Sequence, residues 1–148
     1  KFLATQRGTA LHAFAADAIR LGVKLAKTKK SLNLYVNDAI GYKMTPEQTL
    51  YYSENCFGTA DAIGFRQEFL RIHDLKTGEI AGSMHQLEIY TALFCLEYRI
   101  NPRDIGMELR LYQFDEVLIH EPSYDDIRRI MDKIISFDKR ITKIKMGV

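Results

Sequence analysis

Two acids and a lysine stand out because the chain places them inside runs that are otherwise apolar. Asp61 interrupts Phe57-Gly58-Thr59-Ala60-Asp61-Ala62-Ile63, and Asp74 and Lys76 follow in Ile72-His73-Asp74-Leu75-Lys76-Thr77-Gly78. Side chains alternate faces along a strand, so Asp74 and Lys76 project to one side and His73 to the other. A hairpin joining the two segments brings Asp61 beside Asp74, and carboxylates that close repel each other unless a cation lies between them. Hard divalent ions such as Mg2+ and Mn2+ take such oxygen ligands, together with waters and phosphate oxygens. A cation so held polarises a phosphoryl oxygen and lowers the pKa of its bound water. Lys76 would add a point charge for the attacking water or the crowded phosphorus. The chemistry on offer is phosphodiester hydrolysis. Taken alone, an Asp-x-Lys tripeptide is common, and its plain reading is a surface hairpin with an ordinary ion pair.

Such chemistry needs a sheet to carry the acids and helices to cover it. Apolar residues recur at helical spacing over residues 9–25, which predicts a first helix capped by Thr9 and weakened at Gly22. Lys24, Lys27, Lys29 and Lys30 close it with positive charge, which suits a helix C-terminus, with a DNA-backbone contact as the competing reading. Residues 31–42 read as a second helix and 44–48, around Pro46, as a turn. Residues 50–53, 57–65 and 68–76 read as three strands separated by polar or Gly-bearing turns. Gly78 and Gly82 break the chain before a strongly apolar helix over 84–98, which Asn101-Pro102 ends. Two further strands, 105–114 and 116–120, precede a last helix that Ser123, Asp125 and Asp126 cap and that runs to about residue 141. This order predicts an α/β fold with a mixed β-sheet flanked by helices, as one domain over residues 1–148.

At 148 residues, 47% hydrophobic and 27% charged, the chain has the make-up of a globular domain with one core. A formal net charge of +2 neither demands nor excludes nucleic acid, since a basic groove can sit within a near-neutral total. Cys56 and Cys95 do not make a disulfide scaffold or a CxxC zinc site, so a reduced, cytoplasmic setting is expected. No run approaches the roughly 18 apolar residues of a membrane span, and the opening KFLATQRGT carries no apolar stretch of a signal peptide. Basic residues crowd the last helix, and beyond Asp138 no acid balances Lys139, Arg140, Lys143 and Lys145. That tail reads either as a solvated face or as a grip on phosphates. Tyr35, Tyr42, Tyr51 and Tyr52 suit half-buried packing, with stacking on unpaired bases as the alternative.

The residues around the acids sharpen the reading. RGTALH ends in His12, GTAD ends in Asp61, HDLKTG carries Asp74 and Lys76, and HQLEIY carries Gln86 and Tyr90. In this order, over about residues 7–120, the four segments resemble the motifs of the PD-(D/E)XK nuclease superfamily, and within it the RecB-like exonuclease branch. The resemblance implies a restriction-endonuclease-like core. It implies His12, Asp61 and Asp74 as side-chain ligands of Mg2+ or Mn2+, the Leu75 carbonyl as a fourth ligand, and Lys76 as the catalytic lysine. Gln86 and Tyr90, one helical turn apart, would order the lysine or the DNA end. Asp17 loosely fits an acid that follows the histidine in relatives, as a water-mediated ligand. Some relatives hold an iron–sulfur cluster on four cysteines, which a chain with two cannot do alone. His73 and Glu88 face away from the site in this reading.

The activity implied is that of a metal-dependent deoxyribonuclease, an exonuclease by its motifs, in recombination, repair or phage DNA processing. Endonuclease or flap cleavage stays open. A catalytically silent DNA-binding assembly subunit is the rival reading, against which stands the retention of both acids and the lysine. The chain has no room for a helicase, so DNA and a separate recombination or helicase protein are the expected partners. A homo-oligomer is a further option, and the expected setting is the cytoplasm, that of the host if the protein is phage-encoded.

Overall fold

Alternating apolar residues in the middle of the chain build a five-stranded sheet, and the helical runs on either side cover its two faces. The computed structural model describes residues 2–147, with side chains from residue 6 onward. The strands are β1 (Thr45–Ser53), β2 (Cys56–Arg66), β3 (Phe69–Leu75), β4 (Gly106–Gln113) and β5 (Glu116–His120), and they lie side by side in chain order. Every pairing is antiparallel except β3 with β4. A parallel pairing needs a crossover. Helix α3 (Met84–Glu97) and a 3-10 turn (Pro102–Asp104) supply it. Helices α1 (Phe2–Leu21) and α2 (Ser31–Gly41) cover one face, where Ala62, Leu75 and Tyr112 meet Ala15, Ile19, Tyr35 and Val36. Helices α3 and α4 (Tyr124–Lys145) cover the other, over Leu50, Ile63, Leu70, Ile72 and Leu109. The central strand β3 is thus covered on both sides, and Ile72 through Leu75 are all buried, two polar residues among them.

Four expectations are corrected. Helix α1 begins at Phe2, so Thr9 lies inside it and is no cap; the preceding Leu, Ala, Gln and Arg are good helix formers and nothing there stops the helix. Gly22, at φ 70°, ends α1 in the left-handed conformation, which leaves Lys24 to Lys30 beyond the helix. Pro46 lies within β1, opposite Ala62, and forms no turn; an edge strand tolerates a residue without an N–H. Helix α4 runs on to Lys145 because its end is fastened to the β1–β2 turn. Asp138 accepts hydrogen bonds from Ser53 Oγ at 2.6 Å and Asn55 Nδ2 at 2.9 Å, and Lys145 Nζ donates to Asn55 Oδ1 at 2.5 Å. Lys139, Arg140 and Lys143 remain exposed.

Cys56 and Cys95 are both free, and burial pushes the Cys95 thiol up to about 12. Among the described residues no helix is long and apolar enough to cross a membrane.

The start of α4 tests how much of its stability is local. Ser123 Oγ accepts from the Asp126 N–H at 3.1 Å, and Asp125 and Asp126 occupy the first turn. Ser123→Ala is expected to lower the unfolding free energy by about 1 kcal/mol in urea titrations. An unchanged midpoint would show that tertiary contacts, with α3 and with the β1–β2 turn, fix the helix without the cap.

Candidate active site

The strand alternation that the sequence implies breaks at Asp61. Ala60 packs into the core beneath α3, whereas Ala62 packs beneath α1 and α2. Residues two apart normally share a face. The same row is irregular in β1: Pro46 pairs with Ala62 and Gln48 with Ala60, while Glu47 between them has φ 52°. The ladder between β2 and β3 ends at Ala62 opposite His73, yet β3 continues beside β4 through Asp74–Leu111 and Leu75–Tyr112. Beyond His73 the two strands part. The Leu75 N–H donates to Asp61 Oδ2 at 2.8 Å, so a carboxylate stands in the fork where the antiparallel ladder stops.

Helix α1 supplies the next group. His12 Nε2 is 2.6 Å from the Leu75 carbonyl oxygen and 3.4 Å from Asp61 Oδ2, and Nδ1 is 2.8 Å from the Gly8 carbonyl oxygen. Both ring nitrogens face oxygen, which suits an imidazolium that donates from each. The hydrogen bond to Asp61 raises the His12 pKa to about 9 despite the opposing effect of burial. Gly8, one turn earlier, lets the helix lie close to the segment after β3: a Cβ there would lie 2.8 Å from Thr77 Oγ1.

Asp74 is 3% exposed. Its Oδ2 lies 3.1 Å from Lys76 Nζ, an ion-pair contact, and among the described residues this buried oxygen accepts no well-aligned hydrogen bond. Burial, then the Asp61 charge, lifts the Asp74 pKa to about 7 against the pull of Lys76. Asp61 moves the other way: burial works to raise it, but His12, Asp74 and the Leu75 N–H together hold it below the usual carboxylate range. Lys76 Nζ also donates to Gln86 Oε1 at 3.1 Å, and Gln86 Nε2 donates to Tyr90 Oη at 2.9 Å. Gln86 and Tyr90 lie one turn apart on α3, which Ser83 caps by accepting from the His85 N–H. The Tyr90 ring rests on Gly58, where a Cβ would come within 2.8 Å of it.

The structure therefore brings together His12, Asp61, Asp74, the Leu75 main chain, Lys76, Gln86 and Tyr90. It leaves Asp17 aside: that side chain is 73% exposed and pairs with Arg20. His73 is a core residue, packed edge-on against Tyr42 and beside Tyr112. Burial, with Arg110 and Arg71 nearby, depresses it to about 3 and keeps it neutral. Glu88 lies between His85 and His120, each at 3.4 Å. Of the tyrosines, Tyr35 is buried against Tyr112, Tyr42 lies under Arg71, Tyr52 packs against the core, and Tyr51 is exposed and stacks on Phe57.

Sequence reasoning missed Gln113. Buried at the end of β4, it donates from Nε2 to the carbonyls of Gly78 at 2.9 Å and Ile80 at 2.8 Å, and its Oε1 accepts from the Gly82 N–H at 2.8 Å. These bonds close the loop that follows Lys76. Gly82 then lies against the lysine stem, with 2.7 Å between a would-be Cβ and Lys76 Cγ. The one signal available was a polar residue in phase with inward-facing Leu109 and Leu111.

The donors gathered in the fork are of the kind a hard divalent cation takes: two carboxylates and a carbonyl oxygen, with one imidazole nitrogen. Asp74 Oδ2, buried and among the described residues without a well-aligned hydrogen bond, fits a cation at this place, and so does the repulsion between the two acids. Among the described residues no group of three or more His, Cys, Asp and Glu side chains is already spaced as a metal cluster; His12 Nε2 is turned onto the Leu75 carbonyl. No family model matches this sequence, and neither a curated protein nor a solved structure matches it.

The raised groups set a pH dependence of folding. Asp74 rises from an ordinary 3.8 to about 7 and His12 from 6.5 to about 9, so both bind protons more tightly in the folded chain. Folding then takes up protons across these windows, and stability falls as pH rises through each. His73, depressed from 6.5 to about 3, offsets the Asp74 effect below about pH 6.5. Thermal melts in EDTA are therefore expected to show a midpoint that falls from about pH 6.5 to pH 9, with the lower part of the fall removed in Asp74→Asn. A midpoint constant over that range would contradict the charge arrangement described.

Proposed function

We propose that this chain is a Mg2+- or Mn2+-dependent nuclease of the PD-(D/E)XK type that hydrolyses DNA phosphodiester bonds. The observation that carries the reading is the convergence of His12, Asp61, Asp74 and the Leu75 carbonyl in one fork, beside a lysine tied at 3.1 Å to both Asp74 and Gln86. A surface hairpin with a simple ion pair would not bury an acid this deeply or hold its lysine through a glutamine and a tyrosine. The mixed sheet flanked by helices is compatible with a restriction-endonuclease-like core.

His12, Asp61, Asp74 and the Leu75 carbonyl would hold the ion, which when bound supplies a polarised phosphoryl oxygen and a water of lowered pKa. The chain's own groups do the rest. His12 gives up its Nε2 proton before that nitrogen can serve as a ligand, so metal affinity rises with pH. Lys76 brings a fixed positive charge to the phosphate undergoing attack, where negative charge grows in the transition state. Its four-carbon stem is flexible in itself, and the ties to Asp74 and Gln86 confine it. Tyr90 fixes Gln86 in turn.

Exonuclease action in recombination, repair or phage DNA processing rests on the RecB-like character of the motifs, with endonuclease or flap cleavage as the alternative. End-labelled linear and closed-circular DNA, incubated with Mg2+, Mn2+ or EDTA, separates these. Cation-dependent loss of linear DNA with intact circles is the expected result, and cut circles would assign an endonuclease. No cleavage of any substrate would overturn the reading.

Two variants divide the labour within the site. Asp74→Ala is expected to abolish cleavage and to weaken Mn2+ binding in calorimetry while the chain stays folded. Lys76→Ala removes no ligand, so Mn2+ binding should persist while turnover falls by about 10²–10³, as for one lost transition-state stabiliser. Lost metal affinity with unchanged saturating turnover in that variant would show the lysine's role to be wrong.

A further inference from the structure

The opposite end of the β2–β3 hairpin carries two adjoining hollows that the carboxylate site does not use. One, of about 500 Å³, lies between α2 and the hairpin turn and is lined by Tyr42, Phe69 and Arg71 among others. The other, of about 430 Å³, lies on the α3 side and is lined by Phe65, Phe94 and Tyr98 among others. Lys43, Gly64 and Arg66 line both, so the two cations form a ridge between the hollows. Among the described residues no acid lines either one. Lys43 and Arg66 are exposed and make no ion pair among the described residues. Arg71 is fixed: its guanidinium lies 3.9 Å from the Tyr42 ring centre and 4.6 Å from that of Phe69, and Glu108 takes its Nη1. In the second hollow Phe65 and Tyr98 are 39% and 49% exposed. Asp61 is five residues from Arg66 along β2, about 17 Å at some 3.4 Å per residue.

Cations without partners, flanked on each side by rings or a ring-stacked guanidinium, are what an unpaired nucleic-acid strand requires. Its phosphates seek positive charge, and its splayed bases stack on aromatic and guanidinium planes. A duplex keeps its bases stacked inside and has nothing to place in the hollows. An acidic peptide would use the ridge but not the rings. The lysines from Lys24 to Lys30 line neither hollow.

We propose that single-stranded nucleic acid binds across the Lys43–Arg66 ridge, with backbone phosphates on the two cations and the flanking bases in the hollows on either side. This site does not depend on the nuclease reading, since it would bind whether or not the carboxylates cut.

The test uses the full chain in EDTA with a fluorescein-labelled oligothymidylate, its affinity followed by anisotropy over a range of NaCl concentrations. Lys43→Ala/Arg66→Ala should weaken binding about 10-fold and flatten the log–log salt slope by about 1.4, roughly 0.7 for each phosphate charge no longer neutralised. Tyr98→Ala should weaken binding at every salt concentration with the slope retained, since stacking releases no counterions. Lys27→Ala/Lys29→Ala, equal in charge removed, should leave affinity and slope close to wild type. Circular dichroism establishes that each variant is folded. Unchanged affinity in the ridge variant, an equal loss in the Lys27/Lys29 variant, or competition by polyglutamate as strong as by unlabelled strand would each overturn the proposal.

Discussion

The arrangement depends on a backbone amide that the sheet leaves unpaired. Where β2 and β3 part after Ala62 and His73, the Leu75 N–H has lost its antiparallel partner in a buried place. A buried donor left without an acceptor costs on the order of 1–3 kcal/mol. Asp61 supplies the acceptor from its side chain. That bond draws a carboxylate into the fork and sets it against Asp74. The Leu75 carbonyl, on the same residue, receives His12 from α1. One interrupted ladder thus assembles groups from a helix and two strands.

The assembly is electrostatically tense, and its charges show how it is held. Two acids share a poorly solvated niche, and one keeps its proton to higher pH than usual while the other ionises easily. An imidazolium on one side and an ammonium on the other offset the negative charge. Natural sequences break the rules of a well-satisfied core chiefly where function demands it. Asp74 Oδ2, buried and among the described residues without a well-aligned hydrogen bond, is such a break.

The surroundings are built to keep this geometry. Glycine stands where helix and loop press against the site: Gly8 under Thr77, Gly58 under the Tyr90 ring, Gly82 under the Lys76 stem. In each case a Cβ would fall below 3.0 Å from its neighbour. Gln113 closes the loop between β3 and α3 with three hydrogen bonds to main-chain atoms. Lys76 is therefore bounded by a strand, a closed loop and a capped helix, and its ammonium is held between Asp74 and Gln86.

Much of this was legible in the residues. Asp74 and Lys76 share a face because strands have a period of two, and Gln86 meets Tyr90 because helices have a period near four. Ser123 announced its helix by the same kind of local rule. Such features depend on neighbours in sequence, so composition and spacing determine them. The inclusion of Pro46 in β1 and the length of α4 escaped because strand pairing and distant hydrogen bonds override local signals, and the start of α1 escaped because good helix formers carry the helix past Thr9 with no cap to mark its beginning. Tertiary structure alone decided that β2 breaks its alternation at Asp61, that its carboxylate takes the Leu75 N–H, that His12 reaches the Leu75 carbonyl across 63 residues, and that Gln113 closes a loop more than 30 residues before it. Where a ladder stops is set by the pairing of whole strands and the helices packed on them, and no local pattern of residues records it.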